Sequence, residues 1–257
     1  MPEGDTVFQA AHRLRQALAG EVVTGFDLRV PAFATIDLRG DVVHDVIPRG
    51  KHLLHHIGDH TLHTHLKMEG LWHVYQPGEH WRRPAWKARA IVSTQHWVTV
   101  GFELGLVEVF PSREDEERFG WLGPDLLGPD WDEKRAIHNL EADGREIHVA
   151  LLDQRNLAGL GNEYVNELCF IRGVLPTRPT AEVDLPGAVR LGYRLINANR
   201  DRRNRVTTGD TRPGRKTWVY SRDGQRCLRC GTRIQRGKLG ADPTALRDTY
   251  WCPHCQT

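Results

Sequence analysis

The sequence has no apolar run close to the roughly 20 residues that a membrane-spanning helix needs. Its first residues form no apolar stretch of the signal-peptide type, and no internal repeat or low-complexity tract is present. We therefore expect a cytoplasmic protein without a membrane anchor. Cysteine is scarce, with five residues, and nothing indicates the oxidising compartment in which disulfides form. The 257 residues, 39% of them hydrophobic with a mean hydropathy of −0.51, predict a rather polar globular protein of one large or two modest domains.

The net charge is small, +2 at pH 7, but it is unevenly distributed. Residues 200–257 contain 14 Lys and Arg against five Asp, whereas the preceding 199 residues contain 21 basic and 28 acidic residues. A basic C-terminal quarter favours a surface that binds a polyanion. The alternative is a merely solvated basic face, and only a motif can decide between the two.

The hydrophobic period changes twice along the chain and predicts an α+β, multi-domain fold. Residues 5–19 have the apolar stripe of an amphipathic helix that ends at Gly20. From about residue 21 to 110 the period is two, which predicts a β-sandwich or barrel. The runs are EVVTGFDL, DVVHDVIP, KHLLHHI, TLHTHL, LWHVY, ARAIVST and WVTVGFE.

After Asp132 the pattern turns helical in four segments: EKRAIHNLEAD, EIHVALLDQ, NEYVNELCF and GAVRLGYRLINANR. The charged connector at 111–132 is rich in Gly and Pro and places a boundary there. We predict domains at 1–120, 121–220 and 221–257.

Four cysteines near the end form two C-x2-C pairs, CLRC and CPHC, with 21 residues between them. This spacing is typical of a tetrahedral structural Zn²⁺ site, because each pair offers two thiolates on one tight turn. Two disulfides are the alternative. The predicted ligands are Cys227, Cys230, Cys252 and Cys255. The intervening segment carries Arg233, Arg236, Lys238 and Arg247, which suit phosphate contacts.

Two further features each have a functional interpretation and a non-functional alternative. Gly159-Leu160-Gly161 joins two helices, and such glycines let backbone N–H groups approach an anion, although an ordinary helix–turn–helix corner is equally compatible. No βαβ unit surrounds this turn, so we expect no nucleotide cofactor. The chain begins MPEG; removal of Met1 would leave Pro2 with a secondary amine, which is a nucleophile, but a disordered terminus is the alternative.

The MPEG start, LLDQRNLAGLGNEYVNE and the ending YWCPHCQ together resemble the formamidopyrimidine-DNA glycosylase and endonuclease VIII family, over the whole chain and in order. The resemblance implies an N-terminal helix with a β-sandwich, a helix–two-turn–helix domain and a C-terminal zinc-finger β-hairpin. It also implies a bifunctional glycosylase and AP lyase of base-excision repair, acting as a monomer on damaged double-stranded DNA in the cytoplasm of a bacterium.

The resemblance further implies roles for individual residues. Pro2 would attack C1′ of the damaged nucleotide and form a Schiff base, and Glu3 would protonate the sugar ring oxygen. Lys51, in PRGKHLL, would contact a phosphate beside the lesion and assist catalysis. The phosphates that flank the damaged nucleotide would bind Asn162 and Arg247. Met68 would fill the gap left by the everted nucleotide. The alternative is that Met68 is an ordinary apolar residue at a strand end.

The lesion class depends on a departure from the family pattern. Oxidised-purine enzymes carry an Arg and a Phe on a loop near GFELGLVEVF, and this sequence has Glu103, Leu104 and Leu106 there instead. We therefore expect oxidised pyrimidines as substrates and cleavage by β,δ-elimination, with an oxidised-purine glycosylase as the alternative. The segment NRVTTGDTRPGRKT is expected to lie near the damaged base, without assigned base contacts.

Two functions of other classes remain as rivals. Seven of the 14 histidines fall between His52 and His73, which would suit a metal-dependent nuclease, although no third ligand has a recognisable spacing. A damage-recognition protein without catalysis is the second rival. The presence of Pro2, Glu3 and Lys51 argues against it.

Overall fold

The computed structural model describes residues 2–202 and 204–257, which form two compact units, one up to Trp121 and one from Leu122 to Thr257. Met1, whose removal would create the expected Pro2 amine, lies outside the described residues. In the described part of the chain, no helix has both the length and the apolar character needed to cross a bilayer. The four-cysteine segment belongs to the second unit, and a separate boundary near residue 220 stays a prediction.

The first unit begins with helix α1, Gly4–Leu18, as the apolar stripe predicts. Its buried face includes Val7, Ala11, Leu14 and Leu18, which join the core between the sheets. Burial of each large apolar side chain contributes about 1.5–3 kcal/mol. The buried face therefore stabilises the packing of α1 against the sandwich.

Eight antiparallel strands form two four-stranded sheets with orders β1-β6-β7-β5 and β2-β3-β4-β8. Their core is shared, because inward-facing residues of both sheets belong to one apolar cluster. The strands are β1 Gly25–Leu28, β2 Val43–Arg49, β3 His52–Ile57, β4 His60–His65, β5 Leu71–Tyr75, β6 Ala88–Ser93, β7 Val98–Phe102 and β8 Leu106–Pro111. The predicted sandwich is therefore confirmed.

The register gathers three connections at one end of the sandwich. In the sheet β2-β3-β4-β8, His52 pairs with His65, and His65 pairs with Leu106. In the sheet β1-β6-β7-β5, Leu71 pairs with Phe102. The turn between β2 and β3, the turn between β4 and β5 and the turn between β7 and β8 consequently lie at this end, which we call the turn end.

Helix α1 has a defined direction relative to these strands. The Gly20 nitrogen donates to the Val43 carbonyl at 2.8 Å, and Arg15 Nε lies 2.8 Å from Asp45 Oδ1. Late positions of the helix segment therefore lie beside early positions of β2. This register directs the first turn of α1 towards the turn end.

A short helix α2, Asp115–Phe119, closes the first unit, and the second unit is helical. Its helices are α3 Glu133–Glu141, α4 Ile147–Leu152, α5 Asn162–Arg172 and α6 Leu185–Asn199. Asp132 caps α3 by accepting from the Arg135 nitrogen, and Gly173 ends α5 with φ of 71°, where a residue with a Cβ would be strained. Leu168 and other apolar side chains of these helices form a second core with Leu160 of the turn before α5.

A two-stranded antiparallel hairpin, β9 Gln235–Leu239 and β10 Arg247–Trp251, completes the chain. Phe170 of α5 packs in a third apolar cluster with Val219, Ile234 and Tyr250, which attaches the hairpin to the helices. The α+β fold expected from the sequence is confirmed. Strand β8 lies almost wholly within the region predicted to alternate but was not among the named runs, and helix α2 was not predicted.

Candidate functional site

The first turn of α1 buries an acidic side chain. Glu3 is the N-cap residue, with φ of −125° and ψ of −172°, and its carbonyl accepts from the Val7 nitrogen at 3.0 Å. Its side chain is fully buried and does not cap the helix. Pro2, directly before it, is half-buried. The fold therefore holds a proline and a carboxyl group side by side at the positive end of a helix.

Lys51 occupies a two-residue turn between β2 and β3. Arg49 pairs with His52, so Gly50 and Lys51 alone make the connection. Gly50 has φ of 59°, the left-handed conformation that this kind of hairpin turn requires at its first position. Because the turn is as short as a hairpin allows, the half-buried Lys51 has a defined position at the turn end.

Two histidines beside this turn are held neutral. Burial, together with neighbouring histidines and the positive charges of Lys67 and Lys51, lowers the pKa of His52 to about 3. Burial and the same two lysines lower the pKa of His65 to about 4. His65 Nδ1 also accepts from the Lys67 nitrogen at 2.9 Å, which requires an unprotonated ring nitrogen. At neutral pH these two rings therefore add no charge beside Lys51.

Met68 projects from the turn between β4 and β5. The residue is 62% exposed, because Lys67 precedes it with φ of 53° and Gly70 closes the turn onto the Leu66 carbonyl at 2.9 Å. A Cβ at position 70 would come within 2.4 Å of that carbonyl oxygen. A glycine is therefore needed to present Met68 to solvent.

The turn between β7 and β8 presents no comparable side chain. Glu103, with φ of 50°, accepts from Arg83 at 2.5 Å and from Lys87 at 2.7 Å. Leu104 is buried in the core of the sandwich. Leu106 is half-buried at the start of β8. The side chains of Glu103 and Leu104 therefore contact their own unit and do not project from it.

In the second unit, Asn162 begins α5 after the Gly159–Gly161 turn and belongs to a buried polar network. Its Nδ2 donates to the Asp248 carbonyl of β10 at 2.8 Å, while its Oδ1 lies 3.1 Å from His148 Nε2. Burial lowers the pKa of His148 to about 4, so the ring is neutral, and its Nε2–H is the donor to Asn162. Asn166, one turn later, accepts from the Tyr250 nitrogen at 2.6 Å. Two amides of one helix thus fix the backbone of β10.

Arg247 is the first residue of β10 and is exposed. The next residue, Asp248, pairs through its side chain with Arg236 of β9 at 2.9 Å and through its carbonyl with Asn162. The strand that carries Arg247 is therefore held on both sides. Asn162 and Arg247, separated by 85 positions in the sequence, are connected through one intervening residue, Asp248.

The four cysteines Cys227, Cys230, Cys252 and Cys255 converge, with all four sulfur atoms within 4.8 Å of one another. The Cys230 and Cys252 sulfurs are 3.5 Å apart, too far for a disulfide bond. Four thiolates bound at about 2.3 Å to a tetrahedral ion stand about 3.8 Å apart, so this set fits Zn²⁺. The Arg229 nitrogen donates to Cys227 Sγ at 3.4 Å, as expected for a turn that orients a ligating sulfur.

The His-rich strands do not reproduce this convergence. His52 Nδ1 lies 2.9 Å from His63 Nε2, His63 Nδ1 lies 3.2 Å from Glu108, and His56 Nε2 lies 2.8 Å from Asp115. Within residues 2–202 and 204–257, the four cysteines form the only group of three or more potential ligands that converge on one point. The histidines instead connect strands and α2.

Two family models match the chain. Residues 1–105 match the N-terminal domain of formamidopyrimidine-DNA glycosylase, and residues 122–197 match the helix–two-turn–helix domain of the same enzyme. The chain belongs to the formamidopyrimidine-DNA glycosylase family. The resemblance inferred from the sequence is thereby confirmed.

Relatives that are about half identical to this chain are named endonuclease 8 or AP lyase. The chain is 50% identical to a probable endonuclease 8 2 of Streptomyces coelicolor, over all of this chain and 94% of the relative. It is 48% identical to the DNA-(apurinic or apyrimidinic site) lyase Nei2 of Mycolicibacterium smegmatis, over 100% and 99% of the two chains. A solved structure of the Lactococcus lactis formamidopyrimidine-DNA glycosylase, bound to DNA with an AP site, matches with a TM-score of 0.78 at 23% identity over both whole chains, which shows the shared fold.

The residues that the family resemblance predicts for the site fall in both units, and the fold brings some of them together within each unit. Pro2, Glu3, Lys51 and Met68 belong to the first unit, where Lys51 and Met68 share the turn end. Asn162 and Arg247 are linked in the second unit. His148 and Asn166, which orient Asn162 and β10, were not among the residues predicted from the sequence. Asn166 follows Asn162 by four positions and so shares its helix face, which was the available signal.

Proposed function

We propose that this chain is a bifunctional DNA glycosylase and AP lyase of base-excision repair that acts on damaged double-stranded DNA. Membership of the family and 48% identity over the full length to a protein named an AP lyase support the reaction class. The observation that carries the assignment to residues is the first turn of α1, where Pro2 directly precedes the buried Glu3. That pair supplies an amine and a carboxyl group to one sugar.

Removal of Met1 would expose the Pro2 amine. Its nitrogen lone pair forms a bond to C1′ of the everted nucleotide as the bond from C1′ to the base breaks, and the base leaves with that electron pair and takes up a proton. The nitrogen loses its own proton. Glu3 then donates a proton to the ring oxygen as the C1′–O bond opens, which leaves an iminium ion between Pro2 and the sugar.

The iminium ion acidifies the C2′ proton. Loss of that proton expels the 3′ phosphate, and a second elimination expels the 5′ phosphate, after which water releases the sugar fragment from Pro2. Eversion must precede these steps, because C1′ of a stacked nucleotide is inaccessible to a protein amine; it costs a few kcal/mol and least at damaged pairs. Selectivity for damage therefore begins before any bond breaks.

Four side chains would hold the DNA during these steps. Lys51 contacts a phosphate beside the lesion and assists catalysis, and its neutral histidine neighbours leave it as a local positive charge. Asn162 and Arg247 bind the phosphates that flank the lesion, Arg247 being part of the active site through this contact. Met68 enters the duplex, for which an exposed, unbranched thioether on a rigid turn is suited.

One Zn²⁺ bound by Cys227, Cys230, Cys252 and Cys255 would be structural. A site closed by four protein thiolates has no open position for substrate, so the ion would supply a cross-link and no catalytic step. The residues that hold it thereby fix β9 and β10, and with them Arg247.

For the lesion class we propose oxidised pyrimidines. Glu103 is paired with Arg83 and Lys87, and Leu104 is buried, so the β7–β8 turn offers no side chain to the base opposite the lesion. Oxidised purines are the alternative. Incision of duplexes that each carry one defined lesion, with the opposite base varied, would decide between them; preferential release of oxidised purines would overturn the pyrimidine proposal.

Borohydride trapping with abasic DNA tests the reaction itself. Reduction of the iminium ion should give one covalent adduct, and Pro2→Gly should reduce its yield by at least roughly a hundredfold, because the secondary amine is lost. Arg247→Ala is the control: it should weaken DNA binding and its salt dependence while an adduct still forms at high protein concentration.

Three outcomes would contradict the proposal. Absence of any adduct under conditions that trap a known relative would favour a protein that only recognises damage. Immediate loss of cleavage in EDTA would favour a metal-dependent nuclease. Intact mass showing Met1 on fully active enzyme would exclude Pro2 as the nucleophile.

A further inference from the structure

Trp86 is an exposed aromatic residue that the mechanism above does not use. It is 78% exposed and Met68 is 62% exposed, and no other large apolar residue within 2–202 and 204–257 is as exposed as these two. Single apolar side chains on a protein surface are common and indicate no site by themselves. What distinguishes Trp86 is its position in the fold.

Trp86 lies at the turn end of the sandwich, as Met68 does. Ala88, the first residue of β6, and Leu71, the first residue of β5, pair with Phe102 of β7 on its two sides. Trp86 comes two positions before β6, and Met68 comes three positions before β5. The two connections therefore enter one sheet at the same end, two strand spacings or roughly 10 Å apart.

The backbone around Trp86 is fixed by contacts on both sides. Trp86 is the middle residue of a three-residue 3-10 helix that leads into β6. The Ala85 carbonyl accepts from Arg29 Nη1 at 2.8 Å, and the Lys87 carbonyl accepts from the Glu103 nitrogen at 2.9 Å. Lys87 Nζ also lies 2.7 Å from the Glu103 carboxylate. Trp86 is therefore exposed on an ordered backbone that is attached to the β7–β8 turn.

The surroundings of Trp86 favour a nucleic acid as its partner. Lys87 Nζ lies over the indole ring, 5.2 Å from its centroid. Arg82 and Arg89, on either side of this segment, are exposed. An aromatic ring stacks on any unstacked base, because every base has a π-face, and cations beside it attract phosphates. An apolar protein partner would need a contiguous apolar patch, whereas charged side chains adjoin Trp86.

A duplex offers an accessible base face at the lesion. Inside an intact helix, both faces of each base are covered by its neighbours. Eversion of the damaged nucleotide opens a gap and leaves the base opposite it without a pairing partner. Met68 would fill this gap on the lesion strand. The roughly 10 Å between the two connections is close to the width of a DNA groove, about 6–12 Å, so Met68 and Trp86 can approach different strands of one duplex.

We propose that Trp86 stacks on the base opposite the everted nucleotide and so contributes to the choice of that base; this rests on the proposed function. A purine has a larger π-face than a pyrimidine, so Trp86 should favour a purine at this position. An oxidised pyrimidine arises opposite a purine. The preference of Trp86 therefore accords with the proposed lesion class.

The test removes the side chain and the base separately. Affinity is measured for two duplexes that carry a stable abasic-site analogue, one opposite adenine and one opposite a second analogue without a base. Trp86→Leu should weaken binding to the first duplex by roughly five- to a hundredfold, the effect of losing one base–aromatic stack. Its effect on the second duplex should stay within about twofold, because the base that Trp86 would contact is missing.

Tyr193→Leu is the matched control. Tyr193 is an exposed aromatic residue of α6 in the second unit, where it stacks on Trp131. Its loss should change binding to the two duplexes by the same factor. Trp86→Phe keeps an aromatic ring and should retain most of the affinity for the first duplex.

A fluorescent base gives a second readout that does not depend on affinity. 2-Aminopurine placed opposite the abasic-site analogue should be quenched in the complex by stacking on Trp86, and Trp86→Leu should raise its emission several-fold at saturating protein. An unchanged urea midpoint checks that Trp86→Leu folds, as expected for an exposed position.

Three outcomes would overturn this role of Trp86 and leave the glycosylase assignment intact. They are equal losses of affinity for the two duplexes, no loss for either, and a larger loss for single-stranded DNA than for the first duplex. The last outcome would assign Trp86 to an unpaired strand. Failure of the unchanged protein to form a borohydride adduct would instead overturn the proposed function, on which this role rests.

Discussion

The two units hold their predicted DNA-contacting residues by different physical means. In the first unit, Lys51 and Met68 lie on short turns between strands whose core is apolar, and the backbone conformation of each turn fixes where its residue lies. In the second unit, Asn162 and Arg247 depend on buried amides, a neutral histidine and a cluster of thiols. One unit relies on steric and apolar constraints, the other on polar ones.

The difference has an energetic consequence. Burial of apolar surface is non-directional and tolerates small changes in shape, whereas a buried polar group that loses its partner costs about 1–3 kcal/mol. The second unit should therefore lose function at single substitutions that leave the first unit unaffected. Acid should instead destabilise mainly the first unit, because the buried histidine rings cluster there.

The largest effect should come from removing one metal ligand. Cys252→Ser should abolish retention of Zn²⁺ and unfold the hairpin, since structural zinc contributes on the order of 10 kcal/mol in zinc-finger peptides. Affinity for a duplex with an abasic-site analogue should then fall by at least roughly a hundredfold. Metal content and binding assays measure both.

Cys169→Ala is the control for that substitution. Cys169 is a buried thiol of α5 outside the cysteine cluster, so its loss should leave the metal content at one ion for each chain. Hydrogen exchange of the strands between residues 43 and 111 should be unchanged in Cys252→Ser. Full DNA affinity in protein that lacks metal would show that the hairpin does not need the ion.

The second largest effect should be the loss of stability of the first unit in acid. Burial lowers the pKa of His52 to about 3 and of His55 and His65 to about 4, so the folded state binds fewer protons than the unfolded state below pH 6.5. The free energy of unfolding should be unaffected by these groups above pH 6.5. It should fall by about 1.4 kcal/mol per pH unit for each histidine as the pH decreases towards 4.

Urea denaturation between pH 7 and 4.5 measures this slope. His55→Phe should reduce it by about one histidine, because His55 is completely buried and packs against Trp72. Leu54→Val, one position earlier in β3, should lower stability by a similar amount at every pH. An unchanged slope in His55→Phe would mean that this ring does not titrate as its burial requires.

The smallest effect should follow from Met68→Ala. Because Met68 is mostly exposed, its loss should change the free energy of unfolding by less than about 0.5 kcal/mol. Excision of a damaged base should slow by roughly three- to tenfold if the thioether fills the duplex during eversion. Met68→Leu should recover most of that rate, and a rate equal to that of the unchanged protein in Met68→Ala would exclude the gap-filling role.

Much of the fold was accessible from the sequence because its signals are local. The apolar stripe of α1 and the alternation in seven of the eight strands of the first unit are confirmed. Strand β8 lies within the stretch up to residue 110 for which a period of two was predicted, but it was not among the named runs. Helix α2 lies in a stretch rich in charge, where His56 and Thr61 both bond to Asp115, contacts that no local pattern indicates.

The residues of the site were harder to predict from the sequence, because local signals identify only some of them. The cysteine spacing predicted the cluster that the structure contains, because ligands on tight turns have a fixed separation. Trp86 gave no such signal, because the contacts that fix its backbone come from residues that follow other strands, Arg29 and Glu103. Contacts between distant positions leave no local pattern, so inspection of the residues around Trp86 could not have identified them.

The hairpin that carries Lys51 also limits how this sequence can vary. With Gly50 and Lys51 as the whole connection, one inserted or deleted residue would shift β3 against β2 and reverse which faces of β3 meet core and solvent. Substitution can change the chemistry at position 51, but the length of the segment has no freedom. Descendants of this chain, natural or designed, should therefore differ in surface loops such as residues 76–80 long before they differ in the number of residues between β2 and β3.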